Sequence, residues 1–505
     1  MRSEKLFRPF IRPMFNSHCG GIRLDEVSLM KRIGALLLCG ILLLPAAGAS
    51  GTPWPAWAAE ALAWGREKSV SRAFLASPGQ RLTRGAVARL LYESAGQPAA
   101  HEECPFSDVS EKDAAAVGWA AGQGYLTGVG DGTYEPGRPV TRQEFAAILW
   151  RQAGTPEVPV QGLERFGDAG TVSEWARDAV LWCQQAGVMA GRSGDKLAPE
   201  DTITTAEALV MLERAAGLPD VGQLRDDLEI LAAHHRPVGS QGEADAVRYL
   251  RDRFEEMGYS VTLQPYTDGQ GRTGHNVAAV KAASVPDADI LVLSAHHDSV
   301  PTAYGANDNA SGVVALLYTA EALRNVPTDT EVRFLSFTDE ENGKNGSRTY
   351  TASLTEEERT RIVGAIQFDM LGGLGSTGTL VCTVDGEANW VSDLLQKKNP
   401  GLESGVETAS DHTSFQLSGI PAVLLMQRGR GYLYHSAADT AEQLDLYAIA
   451  AAADSAAAAA EEICSADTPS YRALAREQGE RSAYRQTRQN MIYFGSSRAD
   501  TEAYI

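Results

Sequence analysis

Five short segments gather the side chains able to do chemistry. They are Ala295-His296-His297-Asp298, Gly305-Ala306-Asn307-Asp308-Asn309-Ala310-Ser311-Gly312, Asp339-Glu340-Glu341, Gln367-Phe368-Asp369 and Tyr432-Leu433-Tyr434-His435. Together they offer two imidazoles and three carboxylates as ligands, with a further carboxylate free. Imidazole and carboxylate suit borderline metals such as zinc. One zinc takes about three protein ligands and an open position. Two zincs sharing one carboxylate take five, so the count fits two metals, and the chemistry expected of them is hydrolysis by activated water. Asp298 lies two residues past His296, where it can accept the second imidazole N–H and fix tautomer and basicity. Asp308 sits among small residues before a helix, where the chain can bend closely round an ion. Taken singly each segment is weak. An Asp-Glu-Glu is usually a solvated turn, and His297, His412, His234 and His235 read as structural or supporting.

These segments need a frame that brings them together. Short apolar runs at 290–294, 332–337, 362–368 and 422–426 read as strands, and 311–324 reads as a helix. An amphipathic stretch over 242–258 puts Ala246, Tyr249, Leu250, Phe254 and Met257 on one side. Alternation of this kind predicts an α/β domain with a mainly parallel sheet. His296, Glu340-Glu341 and Asp369 each follow a strand, and ligands in open α/β sheets gather beyond the carboxyl ends of the strands.

Residues 228–463 resemble the M28 zinc peptidases. The resemblance is carried by Ser294-Ala-His-His-Asp-Ser299, the Asn-Asp-Asn-Ala-Ser-Gly loop, Glu-Glu, Phe-Asp-Met, Ser410-Asp-His-Thr-Ser-Phe415 and Tyr-His-x3-Asp-Thr440, all in order. It implies a three-layer α/β/α domain with a mainly parallel mixed sheet and two Zn2+ per chain. It implies His296, Asp308 and Asp369 on one zinc, and Asp308, Glu341 and His435 on the other, with Asp308 bridging. Glu340 would be the general base, Asp298 the partner of His296, and Tyr434 the group steadying the oxyanion. The expected activity is removal of N-terminal residues from peptides with a free amino terminus. A related M20-type carboxypeptidase or amidohydrolase would insert a lid domain before the last His, and only 66 residues separate Asp369 from His435. A glutaminyl cyclase typically holds one zinc, which the complete ligand set argues against. Intact Glu340 and five ligands argue against a non-catalytic surface-layer protein.

The N-terminal half carries a repeat. Phe106-Ser-Asp-Val, Trp119, Asp131-Gly-Thr-Tyr-Glu-Pro136 and Thr141-Arg-Gln-Glu144 return as Phe166-Gly-Asp-Ala, Trp182, Lys196-Leu-Ala-Pro199 and Thr204-Thr-Ala-Glu207. Trp119 to Trp182 and Thr141 to Thr204 share an offset of 63 residues, and a worn copy at about 57–96 keeps Thr83-Arg84. Thr with Glu three residues on predicts a capping box at 141 and 204. These units resemble S-layer homology (SLH) repeats. The resemblance implies an α-helical module binding secondary cell-wall polysaccharide through Arg84 and Arg142, with the third site in doubt because Thr205 replaces the Arg.

The chain then divides into an upstream extension and signal peptide (1–49), SLH repeats (54–218, with copies at about 54–98, 104–154 and 164–218), a peptidase domain (220–464) and a tail of unassigned role (465–505). Met30-Lys31-Arg32, the apolar run 33–44 and Ala47-Gly48-Ala49 form the signal pattern. A secreted, cell-wall-associated bacterial protein is expected, with no stable membrane insertion of the mature chain. The formal charge of −20 argues against nucleic acid, which needs a positive face. The six Cys show no paired spacing of a zinc knuckle or a disulfide scaffold.

Overall fold

The computed structural model describes residues 53–99, 103–156, 158, 162–192, 195–373, 376, 378–429, 431, 433–465, 471–479 and 481. The expected signal segment and most of the tail lie outside the described residues.

In the N-terminal module, Thr83, Thr141 and Thr204 sit at the N-caps of helices α1 (Arg84–Ser94), α2 (Arg142–Gln152) and α4 (Thr205–Ala216). Both predicted capping boxes form; the first copy has Ala86 where the Glu would be, so only the Thr83 hydroxyl caps it. The three segments before these helices close a ring. Leu82 N–H donates to Ile203 O (3.0 Å), Ile203 N–H to Val140 O (2.9 Å) and Val140 N–H to Leu82 O (3.0 Å). Each residue after the capping Thr repeats one contact, Arg84 N–H to Arg138 O, Arg142 N–H to Asp201 O and Thr205 N–H to Gln80 O. The worn first copy is therefore the structural equal of the other two. Helix α3 (Arg177–Gln185) carries Trp182, whose indole N–H donates to the Tyr447 hydroxyl at 3.1 Å. That bond joins the repeats to the C-terminal half.

The C-terminal half is built on eight strands: β1 (Ser260–Thr267), β2 (Thr273–Lys281), β3 (Ile290–His296), β4 (Glu331–Phe337), β5 (Ile362–Phe368), β6 (Thr379–Thr383), β7 (Glu403–Val406) and β8 (Ala422–Gln427). Their order is β1-β2-β4-β3-β5-β8-β6-β7. The central β4-β3-β5-β8 block is parallel, and β1, β2 and β6 join antiparallel. Alternate residues of β3 and β4 serve two cores. Leu291, Leu293, Val332 and Phe334 face helices α5 (Gln241–Glu256), α6 (Ser311–Leu323), α7 (Trp390–Lys398) and α9 (Leu446–Cys464). Ile290, Val292, Leu335 and Phe337 face Tyr350, Leu354 and Phe415, the last on α8 (His412–Leu417). Burial on both faces is why these strands are continuous apolar runs. The result is the expected three-layer α/β/α domain.

Part of the assumed tail belongs to this body. Tyr471 stacks on Trp390 (4.6 Å between centroids), and Arg472 pairs with Asp287 and with buried Asp289. Cys104, Cys183, Cys382 and Cys464 are all free thiols. Among the described residues no helix is long and apolar enough to cross a membrane.

Candidate metal centre

The parallel block delivers its side chains to one edge. His296 ends β3, Glu340 and Glu341 follow β4, Asp369 follows β5, and His435 lies in the loop beyond β8. Asp308 comes from the turn before α6. His296 Nε2 lies 3.3 Å from Asp308 Oδ1 and 3.5 Å from Asp369 Oδ1. His435 Nε2 lies 3.1 Å from both Asp308 Oδ2 and Glu341 Oε2. Two triads result, His296-Asp308-Asp369 and Asp308-Glu341-His435. Asp308 presents one oxygen to each. Glu340 belongs to neither.

The turn carrying Asp308 is held from every side. Asp439 accepts from the N–H groups of Asn307 (2.7 Å) and Asp308 (3.1 Å). Asn309, joined to Asp308 by a cis peptide bond, donates to Phe368 O and accepts from the N–H groups of Gly312 and Met370. Gly305 opens the turn at φ 64°, and a Cβ there would meet Asp308 O at 2.3 Å; only glycine fits so close an approach. Positive φ occurs at Asp339 and Met370, close to triad residues, and at the triad residue His435 itself. Such backbone clusters at functional sites.

Further side chains hold the residues of the triads. Asp298 lies 3.3 Å from His296 Nδ1 and accepts from the N–H groups of Glu340 (3.1 Å) and Glu341 (3.2 Å). It therefore couples the triad residues that follow β3 and β4. Ser410 Oγ donates to Asp369 Oδ2 at 2.6 Å, leaving Oδ1 for the triad. Tyr434 lies against the His435 ring, 3.7 Å between centroids. Arg236 is fully buried behind the site, and burial pulls its guanidinium down to about 10, opposed by Asp298, Asp439, Asp308 and Glu341. Of these supports, Ser410 and Asp439 stand in motifs visible in the sequence without a role attached. Arg236 gives no signal in the sequence, being a lone Arg before Pro237.

The electrostatics describe a site short of positive charge. Burial works against ionisation of Asp308, yet the close His296 and His435 imidazoles outweigh it and hold this carboxyl well below its ordinary range. Burial, with Asp308 adding to it, pushes Glu341 up to about 9. Burial above all holds Glu340 well above the usual range, with Asp411, Asp369 and Asp298 adding and His296 opposing. Burial opposes a charge on His296, but Asp369, Asp298 and Asp308 raise it well above its ordinary value. Two atoms facing into the triads, Asp369 Oδ1 and His435 Nε2, are buried without a hydrogen-bond partner. Orphaned donor atoms of the right chemistry, surrounded by crowded carboxylates, fit divalent cations.

His412 supplies a pH prediction away from the triads. It is buried, and its Nε2 donates to Glu407 O at 2.9 Å. Burial pushes it down to about 4. Above pH about 6.5 neither folded nor unfolded chain protonates it. Between about 6.5 and 4 only the unfolded chain does, so stability falls as pH falls through that window, by up to about 3 kcal/mol, and is flat below it. Urea unfolding at pH 7 and pH 4.5 should show a smaller acid loss in His412→Gln than in the parent; equal losses would assign the acid sensitivity elsewhere.

A three-layer α/β/α domain with an imidazole–carboxylate cluster at the strand ends is the architecture of a metal-dependent hydrolase. Residues 276–460 match the model of Peptidase family M28, and residues 105–146 and 165–209 match the S-layer homology domain. An S-layer homology match in the N-terminal half thus precedes a peptidase family M28 match in the C-terminal half. Aminopeptidase YwaD of Bacillus subtilis (strain 168) is 35% identical over 169 residues, 32% of this chain and 36% of that one. Leupeptin-inactivating enzyme 1 of Streptomyces exfoliatus is 32% identical over 209 residues, 38% of this chain and 45% of its own. The chain spans less than half the length of these curated relatives. Among solved structures, the aminopeptidase from Aneurinibacillus sp. strain AM-1 aligns with 25% identity and a TM-score of 0.46, over 48% of this chain and 94% of that one.

Proposed function

We propose that this chain is a secreted zinc aminopeptidase held on the bacterial cell wall, with His296, Asp308 and Asp369 on one zinc and Asp308, Glu341 and His435 on a second. The observation that carries the reading is the pair of triads sharing Asp308. The family match and the names of the similar enzymes support it. When bound, zinc polarises a carbonyl and lowers the pKa of water from about 15.7 towards 7. Glu340 takes the proton of the attacking water and passes it to the leaving amine. Asp298 fixes the His296 tautomer so that Nε2 faces the triad. Tyr434, beside His435, offers its phenol to the oxyanion of the tetrahedral state. The carboxylates round the site attract a substrate's free ammonium group, which selects for peptide N-termini. The test is hydrolysis of aminoacyl-anilides and of N-blocked peptides, with and without chelator, alongside zinc content. Chelator-sensitive release from free-amine substrates only, with about two zincs per chain, supports the reading; bound zinc with no turnover of any free-amine substrate overturns it.

On the wall-binding side, the Arg142 side chain is 4% exposed and committed to Leu197 O, Ala190 O and Glu207. It forms the floor of a cavity of about 490 Å³, also lined by Trp57, Met189, Arg192, Glu207 and Arg214. Arg84, bonded to Tyr134 O and Thr127 O, stands in a smaller groove of about 190 Å³ with Arg138, Arg151 and Trp175. Thr205, in the third position, is buried against Gln80 O. Secondary cell-wall polysaccharide is the proposed ligand of the first two grooves. Arg142→Ala should weaken retention on purified wall polysaccharide about tenfold or more, the worth of a charged hydrogen bond, with the melting curve as folding control. Unaltered retention would remove this groove from wall binding.

A further inference from the structure

Arg236 is a buried cation without an ion-pair partner. It is 1% exposed, and among the described residues its side-chain hydrogen bonds go to no carboxylate. Each of its three side-chain nitrogens donates to backbone carbonyls instead. Nε donates to His297 O (2.7 Å), Nη1 to Leu231 O (2.6 Å) and Tyr304 O (2.7 Å), and Nη2 to Gly305 O (2.8 Å). Its own backbone is stitched to Ser299, whose Oγ accepts Arg236 N–H at 3.0 Å and whose N–H donates to Arg236 O at 3.3 Å.

These partners matter by position. His297 and Ser299 bracket Asp298 and follow His296; Tyr304 and Gly305 open the turn that presents Asp308. One planar group thus ties the segment bearing the first imidazole to the segment bearing the shared carboxylate. A guanidinium holds several acceptors at fixed angles in one plane, which an ammonium cannot do. Burying an unpaired charge is costly unless nearby charges offset it. The charges available here are Asp298, Asp308, Glu341 and Asp439, all in or beside the triads.

We propose that Arg236 is a positioning residue for the metal centre, setting the separation of His296 from Asp308 and offsetting part of the carboxylate charge gathered there. The inference rests on the reading that the triads hold zinc. It assigns to Arg236 a share of zinc affinity, beyond any share of fold stability.

The experiment measures zinc affinity of the full chain by competition with a chromophoric chelator, together with the melting temperature. The variants are Arg236→Lys, Arg236→Gln and, as a control for general destabilisation, Leu250→Ala, which empties a core position on α5. Both Arg236 variants should bind zinc about 10- to 100-fold more weakly, the range for groups that orient ligands, with Lys less affected than Gln because it keeps the charge. Leu250→Ala should melt lower and bind zinc as the parent does. Parent-like affinity in both Arg236 variants overturns the proposal, as does a loss in Leu250→Ala equal to theirs. Failure of both Arg236 variants to fold even with excess zinc also overturns it, since the guanidinium is then a core strut. A parent chain that binds no zinc overturns the metal reading itself, and this inference with it.

Discussion

Glu340→Gln should keep its zinc and lose turnover by roughly 10²–10⁴-fold. Glu340 is in neither triad, so an amide there removes no ligand. Its backbone N–H still donates to Asp298, so the loop keeps its anchor. What the amide cannot do is accept and return a proton. The position is suited to that work. Burial and three neighbouring carboxylates hold the Glu340 carboxyl well above its ordinary range, while a dication at the triads acts in the opposite direction. A base held between these influences can take a proton and give it back. The decisive comparison is kcat on an aminoacyl-anilide with zinc content measured on the same sample. Parent-like turnover in Glu340→Gln would be falsifying for the assigned role.

The second large effect falls on Asp308. Because this residue serves both triads, Asp308→Ala should bring zinc content from about two per chain to near none, whereas Asp369→Ala, which touches one triad, should spare the Glu341–His435 site. Stability reports the same loss. Zinc at a thousandfold excess over its Kd stabilises the folded parent by about 4 kcal/mol per site. At roughly 2–4 °C per kcal/mol for a domain of this size, that is a rise on the order of 10 °C for each site. Asp308→Ala should show almost none of this rise. Metal analysis together with melting curves, with and without zinc, checks both parts. Two zincs retained in Asp308→Ala would rule out the shared-ligand arrangement.

The order and chemical types of the site residues were legible in the chain itself, and so was the parallel block. Runs 290–294, 332–337, 362–368 and 422–426 became β3, β4, β5 and β8. A strand buried on both faces must be apolar throughout, which leaves a strong local mark. The flanking strands leave none. β1 alternates exposed and half-buried residues and contains Pro265, and β7 is four residues long and largely exposed. The capping boxes at Thr141 and Thr204 were equally legible, because their partners lie three residues apart.

Only the tertiary structure decided which atoms meet. The ring joining Leu82, Val140 and Ile203 links residues about 60–120 apart, and the bonds from Asp439 to the Asp308 turn span more than 130. The Arg236 guanidinium meets carbonyls 61 to 69 residues away as well as a local one. Backbone carbonyls have no residue identity, so no motif records such contacts. They form because packing the helices on the sheet brings those chain segments together, and a buried polar group must then find whatever partner is there. Local pattern supplied the parts and their order; long-range packing set their distances, and the distances are what make six dispersed side chains one site.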